Sequence, residues 1–270
     1  MSERIQKLLA QAGFGSRREI EEWLRAGRVR VNDELAQLGD KAGAGDKIEL
    51  DGRVLVGEHH KPARPRYLAY NKPVGQICTR SDPEGRATVF AALPRIKGSR
   101  WVAVGRLDIN SSGLMLFTTD GQLANALMHP SREVLRTYAV RVAGDPSDEE
   151  ILALQQGVTL EDGQASFESI EASGGQGLNH WFQVTLKEGR KREVRRLWQH
   201  FGYEVSRLIR LAYGPISLGR DLRQGFFRDL SEKEIRLLYD CVGMQSPVAP
   251  EGKKRRYNTV PRRRRGTRTK

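Results

Sequence analysis

A single carboxylate, Asp108, lies in a polar loop between two apolar segments, and its setting favours chemistry. The surrounding stretch reads WVAVGRLDINSSGLMLFTTDG over residues 101–121. Glycines at both ends of the loop GRLDINSSG allow the backbone to turn sharply and to present Asp108 at a strand edge. If the neighbouring Arg106 paired with it, the arginine would lower the pKa of Asp108 and keep it ionised, available as a nucleophile or a base. The spacing alone also leaves open a turn or capping role for Asp108.

The second candidate feature is the basic segment LKEGRKREVRRLWQHFGYEVSRLIR, residues 186–210, which has a net charge of +5. Apolar residues recur at helical spacing and predict an amphipathic helix that starts at Arg192 and buries Val194, Leu197, Trp198 and Phe201. Arg195 borders this apolar stripe and could reach inward. Arg190, Lys191 and Arg192 crowd the loop and the helix start, where they form either a solvated charged face or a phosphate-binding surface.

The third candidate is Tyr138 in the strand-like segment RTYAVRVAG. It alternates in phase with Val140 and Val142, which places it on the core side of the predicted strand. It is therefore either an ordinary core tyrosine or, because it stands at the start of the strand, a side chain that faces a cavity and stacks on a base.

Residues 1–60 are predicted to form a small module of two helices followed by short strands, the first of which enters a turn at Asn32 and Asp33. Ser16 and Glu19 have the spacing of a capping box at the start of the second helix. Arg17 and Arg18 occupy the first turn of that helix beside free main-chain N–H groups, an arrangement that suits a phosphate. Two solvated arginines on a short helix are an equally good interpretation of this segment alone.

The prolines of KPARPR predict a linker at residues 61–66, and a larger domain follows at 67–245. Short strands recur in that domain, among them GQICT at 75–79, and SGGQG at 173–177 is interpreted as a flexible loop. Strands outnumber helices and are often joined by turns, which favours an α+β domain with a mainly antiparallel sheet. No glycine-rich phosphate loop follows any of the strands, so no nucleotide cofactor is expected.

The chain is strongly basic, with 46 Lys and Arg residues against 33 Asp and Glu residues and a net charge of +13. Residues 246–270 contribute +9 of that charge and contain three prolines, which predicts a disordered arm suited to non-specific phosphate contacts. Cys78 and Cys241 have no metal-ligand spacing, so no metal is expected. No secretory signal or membrane-spanning run is recognisable, so we expect a cytoplasmic protein without membrane contact.

The stretch GRLDINSSGLMLFTTDG resembles the signature of the RsuA family, the pseudouridine synthases that modify small-subunit and large-subunit ribosomal RNA. The N-terminal sequence RIQKLLAQAGFGSRREIEEWLRAGRVRVNDE is similar to the S4 RNA-binding module that precedes the catalytic domain in that group. Further matching segments are YNKPVGQICTRSDPEGRATVF, LMHPSREVLRTYAVRV, EGRKREVRRLW and LIRLAYGPISLG. The resemblance covers nearly all of residues 3–240.

This resemblance implies an isomerase that breaks the N1–C1′ bond of a uridine, rotates the base and joins C5 to C1′ without a cofactor or metal. It makes Asp108 the catalytic aspartate, and the reaction begins either with its attack on C1′ or with proton removal at C2′. Tyr138 would pack against the base and could serve as a base in the later proton removal, while Arg195 would pair with the aspartate. The residues expected to contact RNA are Arg4, Lys7, Ser16, Arg17, Arg18 and Arg28 in the N-terminal module and Arg106, Arg190, Lys191 and Arg192 in the larger domain.

Within the family, the segments CTRSDPEGRATVF, MHPSREV and EGRKREVRRLW and the basic tail resemble the large-subunit branch. This implies that the substrate is a uridine in a 23S rRNA stem-loop near the peptidyl-transferase centre, in free RNA or a pre-ribosomal particle, and that the protein is a monomer. The alternatives are the same reaction on 16S rRNA or on another 23S loop, a non-catalytic RNA-binding factor for ribosome assembly, and a hydrolytic uracil glycosylase.

Overall fold

A computed structural model of the chain describes residues 2–43, 45–56 and 64–249. Residues 61–63 of the predicted linker and residues 250–270 of the predicted tail lie outside this described part. The N-terminal elements are β1 (Glu3–Arg4), α1 (Ile5–Gln11), α2 (Arg17–Arg25), β2 (Val29–Val31), β3 (Glu34–Leu35), β4 (Lys41–Ala42), β5 (Ile48–Leu50) and β6 (Arg53–Val56).

The N-terminal domain has a four-stranded antiparallel sheet, in the order β3-β2-β5-β6, whose core is shared with α1 and α2. Leu9 and Ile20 from the two helices and Ile48 from the sheet are fully buried in that core. The predicted turn at Asn32 and Asp33 is confirmed, since both residues have positive φ and connect β2 to β3. Two successive residues with positive φ match the twist of a tight hairpin, and Asn and Asp tolerate that conformation.

The larger domain is built on one nine-stranded sheet. Its elements are β7 (Tyr67–Lys72), β8 (Val102–Val104), β9 (Ser112–Thr118), α3 (Gly121–Met128), β10 (Arg136–Ala143), α4 (Asp148–Gln156), β11 (Val158–Leu160), β12 (Gly163–Ala165), β13 (Ser169–Gln176), β14 (Asn179–Leu186), α5 (Glu193–His200), β15 (Glu204–Tyr213), β16 (Ile216–Ser217), β17 (Phe227–Asp229) and α6 (Glu232–Asp240). The strand order is β13-β14-β10-β15-β9-β7-β17, with β16 paired to β15 and β8 paired to β9.

Helices cover both faces of this sheet and divide the interior into two cores. Alternate residues of β7 enter different cores, so that Leu68 faces the core that contains α5 and Ala69 faces the core that contains α3 and α6. This alternation explains why every residue of the sequence YLAYNK is buried. The central strands of the sheet therefore contribute residues to both cores.

The only parallel pairing among the described strands joins β15 to β9. It places Arg210 of β15 opposite Gly113 of β9. A Cβ atom at Gly113 would lie 2.3 Å from the carbonyl oxygen of Arg210, and the φ of Gly113 is +105°. Only glycine fits this close approach, which brings β15 to the start of β9, next to the loop that contains Asp108.

The predicted α+β class with a mainly antiparallel sheet is confirmed, whereas two local predictions are wrong. Residues 75–79 form no strand, because Ile77 makes only an isolated bridge with Thr88. Residues 173–176 belong to β13 and not to a loop, and a shift of register between Ala172 and Gly175 accommodates the glycines. The helix α6 was not predicted, although Ser231 and Glu234 at its start form a capping box. No helix in the described part of the chain is long and apolar enough to cross a membrane.

Candidate active site

Asp108 lies in the loop between β8 and β9, on the wall of a cavity of about 1050 Å³. Its side chain is 37% exposed. The turn is closed by the Ser111 amide, which donates to the Asp108 carbonyl at 3.1 Å, and the Gly75 amide donates to the Ile109 carbonyl at 2.9 Å. The same cavity is lined by six of the residues predicted from the sequence, namely Arg106, Asp108, Tyr138, Arg190, Lys191 and Arg192.

The backbone of this loop is held by Lys72, at the end of β7. Its buried Nζ atom donates to the carbonyl oxygens of Pro73 at 3.0 Å, Asp108 at 3.1 Å and Ser111 at 2.7 Å. Burial lowers the pKa of the Lys72 ammonium below its usual range. Three carbonyl acceptors satisfy the three donors of a buried ammonium, so the loop and the lysine fix each other's position.

Arg210 supports the same loop from β15. Its Nε atom donates to the Leu114 carbonyl at 2.7 Å, and its Nη1 atom donates to the Arg106 carbonyl at 3.3 Å. The loop that carries Asp108 is therefore tied at both ends, because Arg106 precedes the aspartate and Leu114 follows it. Both buried cations act through main-chain oxygens and leave the carboxylate of Asp108 on the cavity side.

Among the residues described by the structure, the cation nearest to the Asp108 carboxylate is Arg192, whose Nη1 atom lies 3.9 Å from Oδ2. The expected ion pair of Arg195 with Asp108 is not formed. Instead Arg195 donates to the carbonyl oxygens of Val205 at 2.6 Å and Asn110 at 3.2 Å. Burial and the neighbouring charge of Arg192 lower the pKa of Arg195. Its assignment as a catalytic residue stays a prediction.

Tyr138 on β10 lies both in the core and on the cavity wall, the two positions that its sequence pattern left open. Its side chain is 8% exposed and packs in the same core as Val140 and Val142, yet it also lines the cavity with Asp108. In the sheet it pairs with Arg210 of β15. A largely buried aromatic ring that borders the cavity can pack against a ligand without first having to be ordered.

Three of the predicted RNA contacts on the cavity wall, Arg106, Lys191 and Arg192, are exposed. Among the residues that the structure describes, no carboxylate lies within 4 Å of Arg106 or Lys191, and Arg192 pairs only with Asp108. These cations are therefore available to a polyanion that enters the cavity.

Arg190, in contrast, has a structural role at the start of α5. Its guanidinium donates to the Glu188 carboxylate at 2.8 Å and to the Gln164 carbonyl at 2.6 Å, and its amide donates to the Glu193 carboxylate at 2.9 Å. Burial, reinforced by a hydrogen bond with Glu188, raises the pKa of Glu193 to about 7. The Arg190 side chain thus holds the turn that precedes Lys191 and Arg192.

Two of the RNA contacts predicted in the N-terminal domain are used within the domain. Ser16 Oγ accepts from the Glu19 amide at 3.1 Å, and the Glu19 carboxylate accepts from the Ser16 amide at 3.1 Å, so the predicted capping box is confirmed. Lys7 forms an ion pair with Glu3 at 2.6 Å. The Ser16 side chain thus caps α2. The role of Ser16 as an RNA contact stays a prediction.

The other predicted RNA contacts in this domain differ in whether they form an ion pair within the protein. Arg28 is paired with Asp51, whose pKa is lowered by the hydrogen bonds that Arg28 donates. Arg4, Arg17 and Arg18 are exposed, and no carboxylate lies within 4 Å of them in the described part of the chain. The first turn of α2 therefore presents two unpaired arginines to solvent.

The two domains meet beside this turn. The Arg100 guanidinium donates to the Gly15 carbonyl across the interface. A groove of about 310 Å³ between the domains is lined by Lys7, Arg17 and Arg100, among others. Cationic side chains of both domains thus face one groove.

Three functional candidates were missed by the sequence analysis, namely Lys72, Arg136 and Arg210. All three are buried, and each stands at an inward position of an apolar strand. Arg136 alternates in phase with Tyr138 on β10, and Arg210 alternates in phase with Leu208 on β15. A basic residue at the inward phase of an alternating strand was the signal that could have identified Arg136 and Arg210.

The comparisons with known proteins agree on one family. Residues 66–200 match the family model described as RNA pseudouridylate synthase, and residues 3–48 match the S4 domain. The chain is 54% identical over 244 residues to "Ribosomal large subunit pseudouridine synthase B" of Haemophilus influenzae, which covers 90% of this chain and 68% of the relative. It is 53% identical over 262 residues to the Escherichia coli protein of the same name, which covers 95% of this chain and 90% of that relative.

A solved structure supports the same assignment. The crystal structure of a pseudouridylate synthase superposes with a TM-score of 0.61 at 25% sequence identity, over 87% of this chain and 99% of the other. The resemblance noted in the sequence is thereby confirmed over both domains. The sheet and the cavity with Asp108 are consistent with these matches. The chain belongs to the RNA pseudouridylate synthase family and carries an N-terminal S4 domain.

Proposed function

We propose that this protein isomerises a uridine of large-subunit ribosomal RNA to pseudouridine, with Asp108 as the catalytic carboxylate. The observation that carries the proposal is how the carboxylates on the cavity wall are hydrogen-bonded. Asp82 is held by Arg86, and Glu188 and Glu193 are held by Arg190. Among the described residues of the wall, only Asp108 is left free of hydrogen bonds from the protein, with its nearest cation 3.9 Å away.

A carboxylate without hydrogen bonds from the described residues, in a cavity lined by cations, suits the reaction of this family. The N1–C1′ bond breaks and its electron pair passes to the uracil ring, while Asp108 either bonds to C1′ or removes a proton at C2′. The base rotates and C5 bonds to C1′, while the Asp108–C1′ bond breaks or, on the other route, the proton returns to C2′. N1 takes up a proton from solvent, and the proton on C5 is lost last. Tyr138 packs against the base and is the side chain that we assign to this last proton transfer.

The target uridine must leave its stack to reach Asp108, which costs a few kcal/mol. A cavity of about 1050 Å³ gives room for a nucleotide together with part of the adjoining backbone. The exposed Arg106, Lys191 and Arg192 can contribute binding energy that offsets the cost, because each neutralises phosphate charge and releases counterions.

We further propose a division of work along the chain. Residues 67–245 form the catalytic domain, and residues 1–60 form an S4 domain that binds RNA away from the target through Arg4, Lys7, Ser16, Arg17, Arg18 and Arg28. The linker at 61–66 joins them, and the basic residues 246–270 add non-specific affinity.

The names of the relatives support large-subunit rRNA as the substrate. The finer proposal is a uridine in a 23S rRNA stem-loop near the peptidyl-transferase centre, modified in free RNA or in a pre-ribosomal particle. We propose that the protein acts as a monomer in the cytoplasm, where its substrate is assembled.

The test uses purified protein and protein-free transcripts of 23S and 16S rRNA, with pseudouridines mapped by carbodiimide treatment and primer extension. Asp108→Asn is the matched control, because it keeps the shape of the side chain and removes its charge. We expect one new stop in the peptidyl-transferase region of 23S rRNA that is absent with the variant.

The other outcomes separate the alternatives. A stop on 16S rRNA alone would preserve the reaction and discard the large-subunit target. Tight RNA binding without a stop on either transcript would indicate an assembly factor, and release of free uracil would indicate a glycosylase.

A further inference from the structure

Two buried arginines, Arg136 and Arg210, pack against the ring of Tyr213. Their guanidinium carbons lie 5.0 Å and 5.2 Å from the centre of that ring. Arg136 is 8% exposed and Arg210 is 2% exposed, and all three residues line the cavity that contains Asp108. We call these three residues the arginine–tyrosine floor.

The hydrogen bonds of the floor are all made to neutral groups. Arg136 donates to the Lys187 carbonyl at 2.9 Å and to the Tyr213 hydroxyl at 3.1 Å. Within residues 2–43, 45–56 and 64–249, Arg210 donates only to main-chain carbonyl oxygens, and its buried Nη2 atom has no hydrogen-bond partner. No carboxylate lies within 4 Å of either guanidinium among the residues that the structure describes.

A pair of buried positive charges without a counterion is costly to maintain unless an anion compensates it. Arg86 and Arg190 on the same wall show the contrast, since Arg86 is paired with Asp82 and Arg190 with Glu188. The floor therefore carries two charges that no carboxylate in the described part of the chain neutralises.

Two glycines on the cavity wall border the floor. A Cβ atom at Gly189 would lie 3.4 Å from Nε of Arg136, and one at Gly105 would lie 3.6 Å from the Tyr213 ring and 3.9 Å from Nη1 of Arg210. Gly189 does not have a positive φ, so its conformation is open to other residues. The absence of a side chain at position 189 thus keeps the Arg136 guanidinium uncovered.

We propose that the arginine–tyrosine floor is an anion subsite that binds one backbone phosphodiester of the RNA adjacent to the target uridine. This inference rests on the proposed function, because it takes RNA to be the ligand of the cavity. Guanidinium groups bind phosphate oxygens through charge-assisted hydrogen bonds of fixed geometry, and the N–H groups that remain on Arg136 and Arg210 are suited to this. A phosphodiester bound here fixes the RNA backbone on one side of the uridine while Asp108 reacts with the sugar of that uridine.

The experiment neutralises individual phosphates of the substrate. A stem-loop RNA with tritium at C5 of the target uridine is prepared unmodified and with single methylphosphonates, one at each phosphate within two nucleotides of the target and one at a remote phosphate. Tritium release gives kcat/KM for each RNA, and equilibrium titration gives Kd. With the unaltered protein we expect one methylphosphonate near the target to lower kcat/KM roughly tenfold to a hundredfold, and the remote one to have little effect.

The same RNAs are then compared with Arg136→Met, which removes one charge of the floor, and Gly189→Ala, which covers it. For each variant the ratio of kcat/KM between the methylphosphonate and unmodified RNAs is the readout, because this ratio cancels any loss of folded protein. We expect the sensitive position to lose most of its effect in both variants, to within about threefold of the unmodified RNA, because the interaction is already absent.

Equal sensitivity in the variants and the unaltered protein, or no sensitive phosphate at all, would overturn the subsite. Absence of tritium release from every RNA would instead overturn the proposed function. The Kd values of the methylphosphonate and unmodified RNAs, compared in the same way, would then decide whether the subsite exists.

Discussion

Lys72 donates a hydrogen bond from its buried ammonium group to the main-chain carbonyl oxygen of Asp108, at 3.1 Å. The carboxylate of the same aspartate faces the cavity and is free of hydrogen bonds from the described protein groups. One residue is therefore held through its backbone and left available through its side chain. This arrangement preorganises a reactive group without neutralising it, and preorganisation lowers the cost of reaching the transition state.

Replacement of Lys72 by Met should reduce both turnover and stability. The carbonyl oxygens of Pro73, Asp108 and Ser111 would lose their shared donor, so the loop would hold Asp108 less well. We expect kcat to fall about tenfold or more and the free energy of unfolding to fall by about 1–3 kcal/mol. Tritium release at saturating RNA and urea unfolding measure the two effects. The exposed Lys233→Met is the control, and an unchanged kcat for Lys72→Met would contradict the positioning role.

Asp108→Asn should abolish turnover and preserve RNA binding. The amide has nearly the same shape as the carboxylate but cannot attack C1′ or remove a proton, so we expect a loss of about three orders of magnitude or more in single-turnover rate. Filter binding of the same RNA should give a Kd within a few-fold of the unaltered protein. A variant with substantial residual turnover would show that another group carries the chemistry.

Arg192→Gln and Arg195→Gln should both slow the reaction but differ in their effect on stability. Arg192 is exposed and contacts the Asp108 carboxylate, so its loss should leave the melting temperature unchanged. Arg195 is partly buried and ties α5 to carbonyl oxygens of β15 and the Asp108 loop, so its loss should lower the melting temperature by several degrees. Thermal unfolding and single-turnover rates distinguish them. The prediction fails if Arg192→Gln is the variant that destabilises the fold.

Simultaneous replacement of Arg17 and Arg18 by Ala should weaken RNA binding and leave saturated turnover largely intact. Both arginines are exposed on the first turn of α2, remote in sequence from the loop of Asp108. We expect the slope of log K against log salt to become shallower by roughly 1 to 2, since each arginine neutralises about one phosphate. Arg25→Ala, on the last turn of the same helix, is the control. A large loss of saturated turnover with unchanged binding would refute the assignment.

Protein stability should depend on the protonation of Glu193. Its pKa is about 7 in the folded protein, above the ordinary 4.5, because burial disfavours the charged carboxylate. The folded protein therefore keeps a proton between these two values that the unfolded chain has released. The stability contributed by the neutral carboxyl is complete below the lower value and is lost as the pH rises through about 7.

The free energy of unfolding should accordingly fall between about pH 5 and about pH 8, and Glu193→Gln should remove most of that decrease. Urea unfolding of both proteins at intervals across this range measures the difference. If the free energy of unfolding falls equally with pH in both proteins, the assignment to Glu193 is wrong.

Local patterns predicted much of this molecule correctly. The capping box of Ser16 and Glu19 and the turn at Asn32 were recognisable because their interactions span only a few residues. Asp108 was recognisable because glycines and polar residues interrupt two apolar strands around it. The predictions for residues 75–79 and 173–177 were wrong because a short apolar or glycine-rich segment has no local preference strong enough to resist its tertiary surroundings.

The sequence by itself determined the α+β class, the family and the candidacy of Asp108, because strand alternation, caps and ordered motifs are encoded by neighbouring residues. Only the tertiary structure decided which cation meets which oxygen. Lys72 and Arg210 reach the Asp108 loop from strands that are distant in sequence, and Arg192 rather than Arg195 faces the carboxylate. Such contacts depend on the register of β15 against β9 and on the burial of charges, which arise when the whole chain packs.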